Sequence, residues 1–306
     1  MQIFSRSPRG GTPPPLPEER LRRFDAGRRA AGIDPLVIHA PYIINLASPE
    51  ASVWARSAAL YAEEYRRAHV LRAQYLVTHV GSHRGEGEAE GIQRVAQAVS
   101  RALEAAASSV MILLENTAGS GQGLGYQFEQ LAAIRNAVPA KERVGICLDT
   151  AHLFAAGYPI HTAEGLTDVI AAFDRTVGLP HVKVIHLNDS KVPFGSRVDR
   201  HWHIGEGHIG REAFRRILTH PQLVPLAWIL ETPKTTDAED ARNLSVVRSL
   251  AGLSGRVPSP PSFESRPGEM GEVPHNGVNR RDPRLTRKAP RGAGGRRAAP
   301  GAASAR

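Results

Sequence analysis

The chain has 306 residues, 41% of them hydrophobic, a single cysteine (Cys147) and a formal net charge of +9. No apolar run approaches the ~18 residues of a membrane span, and the opening MQIFSRSPRGG lacks the apolar stretch of a secretory leader. One cysteine excludes an internal disulfide, so a soluble, cytoplasmic protein with no membrane partner is expected. The charge is unevenly placed: residues 255–306 hold 11 Lys/Arg against 4 Asp/Glu, leaving 28 against 26 for residues 1–254. Those last 52 residues also contain 8 Gly and 8 Pro and few large apolar side chains. They cannot offset chain entropy, so a disordered basic tail over 255–306 is expected behind a nearly neutral folded body over 1–254.

In chain order, QIF (2–4) is a short candidate strand leading into the polar loop SRSPRGGTPPPLPEE. Six clearer runs follow: LVIHA (36–40), YLVTHV (75–80), VMILLEN (110–116), VGICLDT (144–150), VKVIHLND (182–189) and LAWILET (226–232). Each is apolar with little alternation, the pattern of parallel strands covered on both faces. Between them lie alanine-rich, charged stretches of helical period, such as 50–73 and 92–109. Strand alternating with helix predicts a parallel α/β sheet with right-handed crossovers. Seven candidate strands are one fewer than an eight-stranded (β/α) barrel needs. The first βα unit is therefore expected to be missing, leaving a barrel open at one seam or a sequence that starts at an internal Met.

Every one of the six runs ends in an ionisable, metal-capable residue: His39, His79, Glu115, Asp149, His186 and Glu231. A closed barrel gathers strand C-termini on one face, where active sites lie, whereas an open sheet spreads them along a line. Two further groups add to the set. His152 follows Asp149 in DTAH, and Asp199 and His201 alternate in DRHWHIGEGHIG. Histidine and carboxylate together suit borderline divalent metals, zinc above all, with manganese and iron also compatible. Nine donors suffice for about three ions if one carboxylate bridges.

HAPYIINLASP, THVGSH, LLENTAGSGQGLG, CLDTAHLFAAGY, IHLNDSKVPFGSRVDRHWHIGEGHIG and ILETP resemble, in order and content, the endonuclease IV family of apurinic/apyrimidinic (AP) endonucleases, from about residue 2 to about residue 250. The resemblance implies a TIM (β/α) barrel holding three zinc ions. It implies His39 and His79 as ligands of a first ion, with Glu115 bridging it to a second completed by Asp149, His186 and Glu231. His152, Asp199 and His201 would hold the third. It also implies double-stranded DNA with abasic sites as partner, cleavage 5′ to the lesion with 3′-end repair in base excision repair, and a monomer. Glu231 would orient the attacking water and accept its proton, with Glu115 the bridging catalytic carboxylate. Arg9, Tyr42 and Ile43 would enter the minor groove, wedging the helix so that the damaged nucleotide flips out. Here Gly10 and Gly11 follow Arg9, where the family usually has a tryptophan.

His83 and His203 are read as hydrogen-bonding supports of the ligands, Asn116 and Asn188 as positioning neighbours, and Cys147 as plain core. His69, His161, His181, His208, His220 and His275 are assigned to surface or structure, and Lys191, Arg197 and Arg200 to a basic field beside the metal face. The alternative enzyme is a xylose isomerase-like sugar isomerase or epimerase, which could use Glu115, Asp149, His186 and Glu231 but has no need of His152, Asp199 and His201. A non-enzymatic relic is the third reading, since a missing βα unit leaves two sheet edges exposed.

Overall fold

The computed structural model describes residues 1–253. The expected disordered tail lies outside the described residues, as does His275. In chain order the elements are β1 (Gln2–Ile3), α1 (Glu18–Ala30), β2 (Val37–His39), α2 (Ala51–Val70), β3 (Tyr75–His79), α3 (Glu88–Glu104), β4 (Met111–Glu115), α4 (Phe128–Ala137) and β5 (Val144–Asp149). Then come α5 (Thr150–Ala156), α6 (Ala163–Thr176), β6 (Val182–His186), β7 (Asp189–Ser190), β8 (His201–Trp202), α7 (Arg211–Thr219), β9 (Ala227–Ile229) and α8 (Asp237–Leu250).

Seven strands pair in parallel in the order β1-β2-β3-β4-β5-β6-β9, a nearly closed TIM barrel. The seven strands expected from the sequence, QIF included, are those observed. β1 and β9 end the hydrogen-bonded order, and across the seam between them Gln2 Nε2 donates to Glu231 Oε1 at 2.6 Å. The VKVIHLND run divides into β6 and β7. β7 then pairs antiparallel with β8, so the segment around His201, expected as an extended loop, is half of a small hairpin. The helix expected over 92–109 starts earlier, at Glu88, because Gly87 with φ 115° closes the preceding turn. Glu88 and Glu90 then sit in its first turn, where the helix dipole favours negative charge.

The strand pleat decides what enters the barrel. Val37, Val77, Leu113, Cys147, Val184 and Ile229 form one interior apolar cluster, one residue from each of six strands. Their neighbours Ile38, Leu76, Leu114, Ile146 and Ile185 face outward into the core shared with the helices, which contribute Tyr61, Val99, Leu131 and Phe214. Side chains two apart share a face. The next inward positions are therefore His39, His79, Glu115, Asp149, His186 and Glu231, two residues beyond the apolar layer in every case. Cys147 is core, as expected, and burial pushes its thiol up to about 12. In β1 the register Gln2↔Val37 puts the polar Gln2 at the level of the apolar layer.

Candidate metal centre and nucleic-acid face

Nine predicted side chains meet at the C-terminal mouth of the barrel. Three groups have donor atoms all within 4.8 Å of one another: His39, His79 and Glu115; Glu115, Asp149, His186 and Glu231; and Asp149, His152 and His201. Glu115 joins the first two groups, with Oε2 3.1 Å from both His39 Nε2 and His79 Nε2 and Oε1 3.0 Å from His186 Nδ1. Asp149 joins the second to the third. Asp199 closes the third from outside, 3.3 Å from His152 Nε2 and 3.4 Å from His201 Nε2.

Local structure explains how residues away from the barrel strand ends join them. Asp149 caps α5, its Oδ1 accepting from the His152 N–H at 2.7 Å, which places His152 in the first helical turn beside the strand end. His201 lies on β8 opposite Ser190. The following glycine loop wraps the fully buried Asp189 carboxylate, which accepts main-chain N–H groups of Gly205 (2.9 Å), Gly207 (3.0 Å) and Ile209 (2.9 Å). Asp189 was not singled out in the sequence. The signal was present, since a run of glycine N–H groups needs an acceptor.

Asn116 and Asn188 brace the carboxylates. Asn116 Oδ1 accepts from the Asp149 N–H at 2.6 Å. Asn188 Nδ2 donates to Asp149 Oδ2 at 2.7 Å, and its Oδ1 accepts from the Glu231 N–H at 2.8 Å. The expected support from His83 and His203 is corrected. His83 Nδ1 accepts from Gly85 and Gly87 in its own turn, and His203 Nδ1 meets Asn243 Nδ2. The hydrogen bonds each ring makes are to these nearby polar groups and to none of the nine. Gln2, in contrast, went unnoticed in the sequence and touches two of the nine, His186 and Glu231.

The electrostatics are those of a crowded cluster whose carboxylates, among the described residues, pair with no Lys or Arg. Burial alone would raise the Glu115 carboxyl, but His79, His186 and His152 outweigh it and hold it well below the usual range. Glu231 is likewise held low against burial, chiefly by His186. Asp199 is held to about 2, with burial opposed first by the His152 hydrogen bond. Burial would lower His152, but Asp149, Asp199 and Glu115 raise it well above its ordinary value.

The donor set fits a bound dication. His152 and His201 direct Nδ1 at the carbonyl oxygens of Asn116 and Glu231, so both Nδ1 atoms carry hydrogen. Their Nε2 atoms then face each other at 3.4 Å, where a bound cation would take the lone pairs of both rings in place of a proton.

At the rim, the side chains of Arg9, Tyr42 and Ile43 are exposed and lie on adjoining segments. The Tyr42 N–H donates to the Pro8 carbonyl at 3.2 Å, and a Cβ on Gly10 would stand 3.0 Å from Ile43 Cδ1. Despite Gly10 and Gly11, the loop is tied down at its base: Ser5 Oγ donates to Glu64, Arg6 pairs with Glu64, and Arg67 donates to the Ser5 carbonyl at 2.6 Å. Tyr42 stands against His39, ring centroids 5.6 Å apart; burial and the nearby carboxylates push its phenol up to about 12, so it stays neutral. Lys191 lies 4.1 Å over the Trp202 ring and Arg197 4.9 Å over Tyr126, both solvent-facing.

Barrel and metal-capable mouth together define a xylose isomerase-like TIM barrel, and the family of that description matches residues 1–250. The chain is 49% identical over 252 residues to the probable endonuclease 4 of Chloroflexus aurantiacus, covering 82% of this chain and 88% of that protein. It superposes on the crystal structure of endonuclease IV from Thermus thermophilus with a TM-score of 0.73 at 40% identity, covering 83% of this chain and 89% of the other. The chain belongs to the endonuclease IV family and is a hydrolase of the nuclease type. A D-tagatose 3-epimerase-like protein, at 20% identity and a TM-score of 0.63 over 82% of this chain and 88% of the other, shares the fold. Among the described residues no helix is long and apolar enough to cross a membrane.

Proposed function

We propose that the chain is a metal-dependent AP endonuclease. In this reading it hydrolyses the phosphodiester on the 5′ side of abasic sites in double-stranded DNA, trims blocked 3′ ends, and serves base excision repair as a cytoplasmic monomer. The observation that carries the reading is the convergence of nine metal-capable side chains in three groups joined by Glu115 and Asp149. His39, His79 and Glu115 would hold one zinc ion; Glu115, Asp149, His186 and Glu231 a second; His152, Asp199 and His201 a third. Manganese or iron is compatible with some of the positions. When bound, the ions supply neutralisation of the phosphate and a lowered pKa for the attacking water.

The protein's own groups do the rest. Glu231 is bonded through Oε1 to Gln2 and through its N–H to Asn188, which sets its carboxylate to orient the water and accept its proton as the P–O3′ bond breaks. Tyr42 and Ile43, exposed at the rim beside His39, would wedge the duplex and present the phosphate to the mouth, with Arg9 reaching the groove from the adjoining loop. Lys191, Arg197 and Arg200 add local positive charge that a nearly neutral body otherwise lacks, as phosphate binding requires. A sugar isomerase would use only Glu115, Asp149, His186 and Glu231, leaving the His152–Asp199–His201 group and the exposed wedge without a purpose.

The test is cleavage of a duplex oligonucleotide carrying one tetrahydrofuran abasic analogue. Incision is expected without added magnesium, to be lost on prolonged chelation and to return with zinc. Cleavage only through a borohydride-trappable lyase intermediate overturns the reading. Glu231→Gln is expected to bind the duplex normally and to cut roughly 10²–10⁴-fold more slowly, the usual contribution of a positioned acid or base. Near wild-type cutting by that variant removes Glu231 from its role.

A further inference from the structure

His186 differs from three of the other ring donors in the nitrogen it turns inward. His39, His152 and His201 each give Nδ1 to a main-chain carbonyl, of Ala40, Asn116 and Glu231 respectively, and leave Nε2 to the cluster. His186 does the reverse. Its Nδ1 lies 3.0 Å from Glu115 Oε1 and 3.1 Å from Glu231 Oε2, while Nε2 lies 2.8 Å from Gln2 Oε1. Gln2 Nε2 in turn donates to Glu231 Oε1 at 2.6 Å. Side chains from β1, β6 and the residue just past β9 therefore close a ring across the barrel seam.

The chemistry of the ring sets its hydrogens. A carboxylate offers acceptors, so the NH₂ end of the Gln2 amide must face Glu231; the flipped amide would set two oxygens against each other. Gln2 Oε1 then faces His186 Nε2, which must carry a hydrogen, and the lone pair of the neutral ring falls on Nδ1. That is the atom directed at Glu115 and Glu231. The placement is also unusual for the strand. Gln2 occupies in β1 the interior level that Val37, Val77, Leu113, Cys147, Val184 and Ile229 fill elsewhere. An amide in such a layer is costly unless both ends are bonded, and here both are.

We infer that Gln2 is a positioning residue of the metal centre: it fixes His186 with Nδ1 inward and tethers Glu231 by one oxygen, leaving the other to the site. The inference rests on the metal-centre reading above. Partners of this kind orient ligands and set their basicity, and their loss commonly costs about 10–100-fold in metal affinity.

Two measurements test it. In the zinc-loaded wild type labelled with ¹⁵N-histidine, the His186 ring is expected to show Nδ1 as the ligand and a hydrogen on Nε2. A ring ligated through Nε2, with its hydrogen on Nδ1, overturns the inference, and this spectrum decides even if the variants do not fold. Gln2→Met keeps the length of the side chain and removes both hydrogen bonds. In a graded chelator titration it is expected to release one zinc equivalent at roughly 10–100-fold lower chelator than wild type, the remaining zinc being unaffected. Unchanged zinc retention, with or without a lower melting temperature of the chelated protein, makes Gln2 a seam strut only and overturns the inference. Zinc binding and abasic-site cutting by the wild type would survive that failure. A wild type that binds no zinc and leaves the abasic duplex intact fails at the parent reading instead.

Discussion

Six of the nine clustered side chains are placed by the sheet, and three by hydrogen bonds that loops make back to the barrel. His39, His79, Glu115, Asp149, His186 and Glu231 each stand two residues beyond an apolar interior residue, so the pleat aims them wherever the strand runs. Asp199 and His201 depend instead on a pair of two-residue strands joined by a long loop and on Asp189, whose carboxylate gathers N–H groups from residues 16 to 20 positions later. His152 stands between the two cases, held by the cap that a strand-end ligand provides. The sheet half of the site is as rigid as the barrel. The loop half rests on that buried carboxylate and on a few further bonds, from the Gly195 and Arg197 N–H groups to the Phe154 and Ala155 carbonyls and from the Ile204 N–H to Asn243 Oδ1.

Removing all metal is expected to have the largest effect and to separate the halves. A ligand present at about 1,000 times its dissociation constant stabilises the folded state by about 4 kcal/mol. In a domain of this size each kcal/mol moves the melting temperature by roughly 2–4 °C, so exhaustive chelation should lower it by some 8–16 °C for each ion so held. Limited proteolysis of the chelated protein should cut first within residues 191–210, while the strand ends stay protected. Simultaneous cutting at both would erase the distinction. Within the sheet half, Glu115→Ala removes the residue shared by two groups and leaves His39, His79 and His186 without their common acceptor. The loss of incision should exceed the 10–100-fold typical of supporting residues, and at least two zinc equivalents should go with it.

The same division explains what could be read in advance. Strand-end ligands were legible because an apolar run ending in His, Asp or Glu already contains the geometry, and Val184 followed two residues later by His186 is a local fact. Asp199 and His201 were legible chiefly through the resemblance of DRHWHIGEGHIG to a known family, because Asp189 acts on residues far along the chain. Gln2 gave no signal at all. Its partners are 184 and 229 residues away, and only barrel closure brings them together. His83 and His203 were misjudged for the converse reason: nearness to a ligand motif in sequence says nothing about a ring that a local turn or Asn243 has already engaged.

Asp189→Asn tests the loop half more directly. Hydrogen bonds to a charged group contribute about 1.5–3 kcal/mol each, and the amide keeps the shape while surrendering the charge and one acceptor. A melting temperature lower by several degrees is expected, together with early release of the zinc held by His152, Asp199 and His201 in a chelator titration. Zinc on the strand-end groups should be retained as in wild type. Uniform loss from all three groups would mean that Asp189 supports the barrel as a whole.

Gly207→Ala should give a smaller version of the same effect by an independent route. Gly207 does not have a positive φ, so alanine brings no backbone strain of its own. Its Cβ, however, would meet the Ser190 carbonyl and stand 2.6 Å from Asp189 Oδ1, pressing the loop off the carboxylate that holds it. Overpacking of this kind costs about 1–3 kcal/mol, which here means a melting temperature lower by roughly 2–12 °C. Gly27→Ala in α1 is the matched control: nothing lies within 4 Å of its new Cβ, and a helical Gly-to-Ala change stabilises by roughly 0.5–1 kcal/mol. If Gly207→Ala melts early yet keeps its third zinc as firmly as Gly27→Ala, loop rigidity does not serve the site, and the two halves of the mouth differ in architecture but not in function.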